Sequence, residues 1–327
     1  MIIDAHAHYV PPAFLEDVLA KPGRFPSVAV RVDEGGHRFS FAGNDPKRSI
    51  PKGMSDADGR KQWLAERGID RQVVGGWLDL FGYDIPADEG ADWNRFFNEH
   101  LLKGVEAYPF LLPLASVPLQ SGKHAARVLQ EAFDAGFRGA MIGTQPKGAT
   151  GVLDDPDLDP FWEKASELKA TLFVHPTFGA RDDRLKAYGL VSAVGRVTDT
   201  TIAIARLLYS GHLLRYPGVK LVISHGGAAL PMVLGRLRRS FATAPAQNKD
   251  PMEGFKRLYF DTIVYDPITL RFVCELAGHD KVVMGTDAPF TIAEQAPVQF
   301  VDSAGFGAAE RNAILGGTAA RLFGIAG

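Results

Sequence analysis

Eight short apolar runs rich in β-forming residues, separated by stretches of helical spacing, limit most strongly how this chain can fold. They are Ile2–Ala7, Gln72–Leu78, Phe110–Val117, Gly139–Ile142, Thr171–His175, Lys220–His225, Arg257–Val264 and Lys281–Thr286. Most are near-continuous Val/Ile/Leu/Phe, the pattern of strands covered on both faces and paired in parallel. Alternation of such strands with helices means βα units, and eight units predict a closed (β/α)8, or TIM, barrel. The open doubly wound sheet is the alternative, but no glycine-rich phosphate fingerprint follows any strand.

The intervening segments support this reading. Gly122–Ala135 reads as a helix stopped by Gly136. Asp159 before Pro160 reads as an N-cap with proline at the first helical position. Asp199–Leu214 and Ala308–Phe323 carry apolar residues at helical spacing. One stretch breaks the rhythm: Val28–Val32 and His37–Phe41 alternate around Gly35-Gly36, which predicts an antiparallel hairpin inserted at residues 28–41 and overhanging the barrel mouth. With no repeat, low-complexity tract or linker, residues 1–327 are expected to form a single domain.

Charge and cysteine content narrow the partners. The formal net charge is −2 and no basic stripe occurs, so nucleic acid and anionic membranes are not expected partners. No apolar run is long enough to span a bilayer. A lone cysteine, Cys274, excludes an intrachain disulfide, and the N-terminus has neither a basic region nor a long apolar one. A cytoplasmic location is the expectation.

The chemistry-bearing residues sit at strand ends. His6 and His8 lie two apart on the first strand, so period-2 geometry turns both imidazoles to one face. His175 and His225 close the fifth and sixth runs, and Asp287 follows the eighth. Barrel active sites are built at the C-terminal ends of the strands, and imidazoles with a carboxylate make a divalent-metal site. Taken singly, each of these is more commonly a strand-end capping residue; their joint placement favours a site. Asp4 shares the parity of His6 and His8, which suits either a group supporting the ligands or structural burial at the barrel floor. The other histidines, His37, His100, His124, His212 and His279, read as surface residues. Arg48, after the hairpin, and Arg236, after the His225 turn, are candidates for gripping a carboxylate.

The order His-x-His, His, His-Gly-Gly, Gly-Thr-Asp resembles the amidohydrolase superfamily, and more finely its aminocarboxymuconate-semialdehyde decarboxylase branch. The stretches that carry the resemblance are Ile3-Asp-Ala-His-Ala-His8, Phe173-Val-His-Pro176, Leu207-Leu-Tyr-Ser-Gly211 with Tyr216-Pro217, Ser224-His-Gly-Gly227 with Leu234-Gly-Arg236, Phe260-Asp261-Thr262, Met284-Gly-Thr-Asp-Ala-Pro-Phe290 and Gly316-Gly-Thr-Ala-Ala-Arg-Leu-Phe323. The resemblance implies His6, His8, His175 and Asp287 as metal ligands and His225 as the acid/base. It implies Arg48 as a substrate-carboxylate residue and Arg236 as one supplied across a homodimer interface. The fourth run lacks the bridging lysine of two-metal members, Lys147 lying beyond it, so one metal is expected. Zn²⁺ suits three imidazoles and a carboxylate, and Mn²⁺, Co²⁺ or Fe²⁺ can take the same cage. Two departures bear on the substrate: Ala228 stands where the branch often has a third glycine, and residues 178–189 carry Arg181-Asp-Asp-Arg184 and Tyr188 instead of a Trp-rich stretch.

The function this implies is metal-dependent, non-oxidative decarboxylation of a small unsaturated or aromatic carboxylic acid, with metal-bound water and His225 as acid/base. The alternative is a hydrolase or hydratase acting on a lactone, amide or unsaturated acid. A metal-binding scaffold without turnover would not need His225.

Overall fold

The computed structural model describes residues 1–148, 150–177 and 179–326. Eight parallel strands lie where the apolar runs place them: β1 (Ile3–His8), β4 (Arg71–Gly75), β5 (Leu111–Pro113), β6 (Gly139–Gly143), β7 (Thr171–His175), β8 (Lys220–Ile223), β9 (Leu258–Asp261) and β10 (Val282–Val283). The hairpin strands β2 (Val28–Asp33) and β3 (Gly36–Phe41) fall between β1 and β4. Pairing runs β1-β4-β5 and β6-β7-β8-β9-β10. Parallel bridges Ala115–Ala140 and Ala7–Ala288 join the two sets, with Ala115 N–H donating to the Gly139 carbonyl at 3.0 Å and His8 N–H to that of Ala288 at 2.8 Å. The strands therefore close into a (β/α)8 ring.

The core follows from composition. Every residue of β6 and β7 is buried, as expected where side chains fill the barrel on one face and meet helices on the other. The C-terminal helix Thr318–Phe323 seals the floor, its Leu322 carbonyl accepting from Thr171 Oγ at 2.7 Å. β10 is short because the chain leaves the ladder at Gly285 and pairs through single bonds, Asp287 N–H donating to the His6 carbonyl at 2.8 Å.

Two helix boundaries differ from expectation. The helix Asp159–Glu167 begins at Asp159 itself, because Asp155 caps the preceding turn by accepting from Asp157 N–H. The expected helix 199–214 is Arg196–Ser210, ended by Gly211 at φ 74°, with His212–Arg215 a separate turn. Glycine adopts that left-handed stop without a Cβ penalty. His212 is a correction: it is 2% exposed, packed between Trp162 and Tyr216. Tyr216 is near in sequence, but Trp162 comes from the helix Asp159–Glu167, a contact that the residues around His212 do not reveal.

The hairpin forms as expected, in register from Val28–Phe41 to Asp33–Gly36. Phe39 and Phe41 bury their rings against Trp93, and Phe39 also stacks on Phe14. Fully burying each ring stabilises by about 1.5–3 kcal/mol. The chain beyond it reaches a small recess with Leu78, Asp79 and Tyr83, which follow β4, and Thr177, which follows β7. It therefore does border the mouth.

Candidate metal centre and active site

Strand ends bring five scattered residues together. Asp287 Oδ1 lies 3.1 Å from His8 Nε2, 3.3 Å from His6 Nε2 and 3.7 Å from His175 Nε2. Its Oδ2 lies 3.6 Å from His225 Nε2. Ligand atoms of His6, His175, His225 and Asp287 all fall within 4.8 Å of one another.

The far side of each ring fixes its proton. His6 Nδ1 meets Asp261 Oδ2 at 2.7 Å, His8 Nδ1 the Gly76 carbonyl at 3.1 Å and His175 Nδ1 the Pro176 carbonyl at 3.0 Å. These acceptors hold each Nδ1 as the donor and leave each Nε2 lone pair aimed at the cluster. His225 differs: its Nδ1 faces only the Ser224 hydroxyl, at 3.2 Å, which can donate or accept.

These groups fit a divalent cation. His6 Nε2 and His175 Nε2 are buried with no hydrogen-bond partner, and buried polar atoms in native proteins are normally satisfied. Electrostatics agree. Burial opposes a charge on His6, yet the Asp261 and Asp287 carboxylates outweigh it and push the ring up to about 10. Burial holds His175 well below its ordinary value. Asp287 is held well below the carboxylate range: burial resists, but four histidines prevail. The pocket is thus poised for positive charge against a fixed anion.

Backbone geometry supports the arrangement. His225 (φ 56°), Ala228 (φ 58°) and Asp287 (φ 64°) occupy the left-handed region although none is glycine, a strain typical of functional sites. A Cβ at Gly226 would sit 2.1 Å from Val264 Cγ1, so only glycine lets the His225 turn close. Asp4 ties β1 to the Asp287 loop, accepting from Gln72 at 2.7 Å and from Thr286 Oγ at 2.6 Å. It supports the loop that carries a candidate ligand, and burial raises it to about 6.

The arginines are less convergent. Arg48 donates to Asp79 Oδ2 at 3.0 Å and lies 5.4 Å from the Trp77 ring centroid. Arg236 is exposed on the helix Leu230–Thr243 and makes no ion pair within the chain among the described residues. Of the stretch 178–189, Phe178 lies outside the described residues; Arg184 pairs with Asp182, and Tyr188 is exposed.

Sequence reasoning quoted Asp261 but gave it no role, although it closes β9 in register with the other strand-end groups; strand-end position was the available signal. It missed Arg196 entirely. That residue opens the helix Arg196–Ser210, and an arginine there reads as an ordinary surface charge.

Known proteins place the chain. The amidohydrolase family profile matches residues 3–325. A 2-amino-3-carboxymuconate-6-semialdehyde decarboxylase from Dictyostelium discoideum is 30% identical over 286 residues, covering 85% of this chain and 79% of the relative. The crystal structure of 5-carboxyvanillate decarboxylase from Sphingomonas paucimobilis superposes with a TM-score of 0.82 at 24% identity, covering 99% of both chains. A dihydroxybenzoic acid decarboxylase from Polaromonas, with bound manganese and an inhibitor, gives a TM-score of 0.79 at 20% identity over 99% of this chain and 97% of that one. With a family match spanning nearly its whole length, the chain belongs to the amidohydrolase family, on the side of its 2-amino-3-carboxymuconate-6-semialdehyde decarboxylase relatives.

Proposed function

We propose that this protein is a metal-dependent, non-oxidative decarboxylase of a small unsaturated or aromatic carboxylic acid, acting as one (β/α)8-barrel domain over residues 1–327. The observation that carries the reading is the convergence of His6, His8 and His175 Nε2 on one oxygen of Asp287, beside a fourth, differently held imidazole. The decarboxylase names of its relatives support it.

His6, His8, His175 and Asp287 would hold the cation, because the second nitrogen of each ring is pinned by a fixed acceptor and the Asp287 oxygen is shared by all three rings. Zn²⁺ is our assignment on ligand type, with Mn²⁺, bound by the Polaromonas neighbour, the alternative. When bound, such a cation would supply Lewis acidity toward the substrate. His225, free to carry its proton on either nitrogen, is the acid/base. As the bond to the carboxylate carbon breaks, its electron pair stays on the conjugated carbon skeleton. His225 delivers a proton there, CO2 leaves, and solvent returns the proton to the ring. Arg48 orients a carboxylate from the mouth.

We assign a homodimer in which Arg236 reaches the neighbouring site. Supporting this, Arg236 has no ion-pair partner among the described residues, and apolar side chains stand exposed on the segments after β8 to β10: Met232 at 74%, Ile268 at 66% and Ile292 at 54%. Exposed large apolar side chains of this kind suit an interaction surface where they lie together. A cytoplasmic location accords with the single free, buried Cys274.

The test is CO2 release by metal-loaded protein against a panel of unsaturated and aromatic acids. Release that requires both metal and His225 is expected. Consumption of a lactone, amide or unsaturated acid without CO2 would assign hydrolysis or hydration instead.

A further inference from the structure

Arg60 lies on a polar helix, Ala57–Glu66, yet it is only 6% exposed. A guanidinium is buried only where hydrogen bonds answer it. Its two terminal nitrogens find acceptors on three other segments. Nη2 donates to the His8 carbonyl at 2.7 Å and to the Gly53 carbonyl at 3.2 Å, and Nη1 donates to Gln72 Oε1, on β4, at 2.8 Å. Nε has no acceptor. Burial pulls the group down to about 10, and Asp4 leads the groups that resist, so the guanidinium is charged at neutral pH.

The bond to Gln72 continues beyond it. Gln72 Nε2 donates to Asp4 Oδ2 at 2.7 Å, and the same oxygen accepts from Thr286 Oγ at 2.6 Å. Asp4 Oδ1 accepts from the backbone N–H groups of His6 and Thr286, both at 3.1 Å. Thr286 Oγ in turn accepts from Ala288 N–H at 3.1 Å. The residues on either side of Asp287 are thus held by one chain of bonds that starts at Arg60. The direction of that chain follows from donor chemistry. Arginine can only donate, so the Gln72 amide turns its oxygen to Arg60 and its nitrogen to Asp4. Asp4 then accepts from the Thr286 hydroxyl, whose oxygen is left to receive Ala288 N–H. Arg60 reaches one candidate ligand directly, through the His8 backbone, and the other, Asp287, through Gln72, Asp4 and Thr286. These two ligands lie 279 positions apart in the chain.

We propose that Arg60 is a positioning residue of the metal centre, holding His8 and the Asp287 turn at the spacing a cation requires. It makes no hydrogen bond to either ligand's side chain and acts through the groups between. Partners that orient ligands from behind set metal affinity as well as shape. The proposal rests on the metal-site reading, because its effect is on how that cage takes a cation.

The experiment uses the metal-stripped full chain reloaded with Co²⁺. Affinity is read by competition with a chelator, geometry by the visible absorption of the Co²⁺-saturated protein, and stability by the melting temperature of the metal-free chain. Arg60→Met and Gln72→Met should each weaken Co²⁺ binding about tenfold, the scale for removing a group that holds a ligand, and should shift the absorption band. Arg60→Lys should fall between them and wild type, since one ammonium cannot span both acceptors. The double variant should lose less than the product of the two single factors, because both changes cut one link. An arginine that only stitches the helix to the barrel would lower the melting temperature and leave affinity and absorption unchanged; that result overturns the proposal, as do single factors that multiply in the double variant. If Arg60→Met fails to fold, Arg60→Lys and Gln72→Met decide by the same readings. A wild type that takes up no Co²⁺ refutes the metal-site reading and the proposal with it, whereas normal uptake by wild type and variants alike refutes the proposal alone.

Discussion

The mouth of the barrel is built from two unlike halves. On the β1, β7 and β10 side, His6, His8, His175 and Asp287 are short side chains on strand ends or the first turn beyond, at most 5% exposed, each ring held by a fixed partner. On the side bordered by the hairpin, Arg48 and Arg196 are long side chains on a loop and a helix start, and Arg48 is half exposed. The first half is buried and suited to a cation; the second carries net positive charge. On the proposed reading, the chemistry belongs to the first half, and the second meets the charge of the acid.

The largest effect should come from the buried half. Asp287→Ala removes the oxygen that three imidazoles share, and kcat/KM for CO2 release should fall by about 10³ or more, with metal lost. His225→Gln should lower kcat by about 10²–10⁴, the range of a general acid/base, while metal content holds. Loss of metal in that variant would move His225 into the ligand set and erase the distinction between it and His8. Asp261→Asn keeps the hydrogen bond to His6 but not its charge, so metal affinity, measured by competition with a chelator, should weaken by about 10–100-fold.

A histidine outside both halves gives the contrast a control. His212 accepts from Arg215 through Nε2 at 3.0 Å, and burial, with Arg215, holds it down to about 4. Its folded value lies below the unfolded one, so the unfolded chain binds the extra proton. Stability should therefore be lost as pH falls from 6.5 toward 4, by roughly 2–3 kcal/mol at most. Denaturation of His212→Leu across that window should show a flatter profile, with metal content unchanged. The smallest effect is Ala228→Gly, which relieves a left-handed φ of 58° and should stabilise by about 0.5–1 kcal/mol in denaturant titration.

The same contrast explains what could be read before the structure. A short side chain at a strand end has its direction set by strand parity, so His6, His8, His175 and Asp287 were legible as a cluster, and the eight apolar runs placed all eight barrel strands. Strand limits were less legible: β10 spans two residues where six were expected, because Gly285 and Thr286 leave the ladder to let Asp287 turn inward. Asp261 had the strand-end position and sat in a stretch that carries the resemblance, Phe260-Asp261-Thr262, yet neither signal by itself tells a ligand from a group that holds one. Arg196 had neither, since where a long side chain on a helix start ends up depends on how that helix docks, here through Asp199 onto the end of β6. His212 was misread for the same reason, its covering Trp162 coming from another helix.

The central claim is that His6, His8, His175 and Asp287 hold one cation while His225 stands beside it. The most direct measurement is the metal-to-chain ratio, by elemental analysis, in freshly purified wild type, His8→Ala and His225→Ala. The account predicts about one divalent ion per chain in wild type and His225→Ala, and far less in His8→Ala. Wild type without metal that also takes none up, or loss of metal on replacing His225 but not His8, would contradict it.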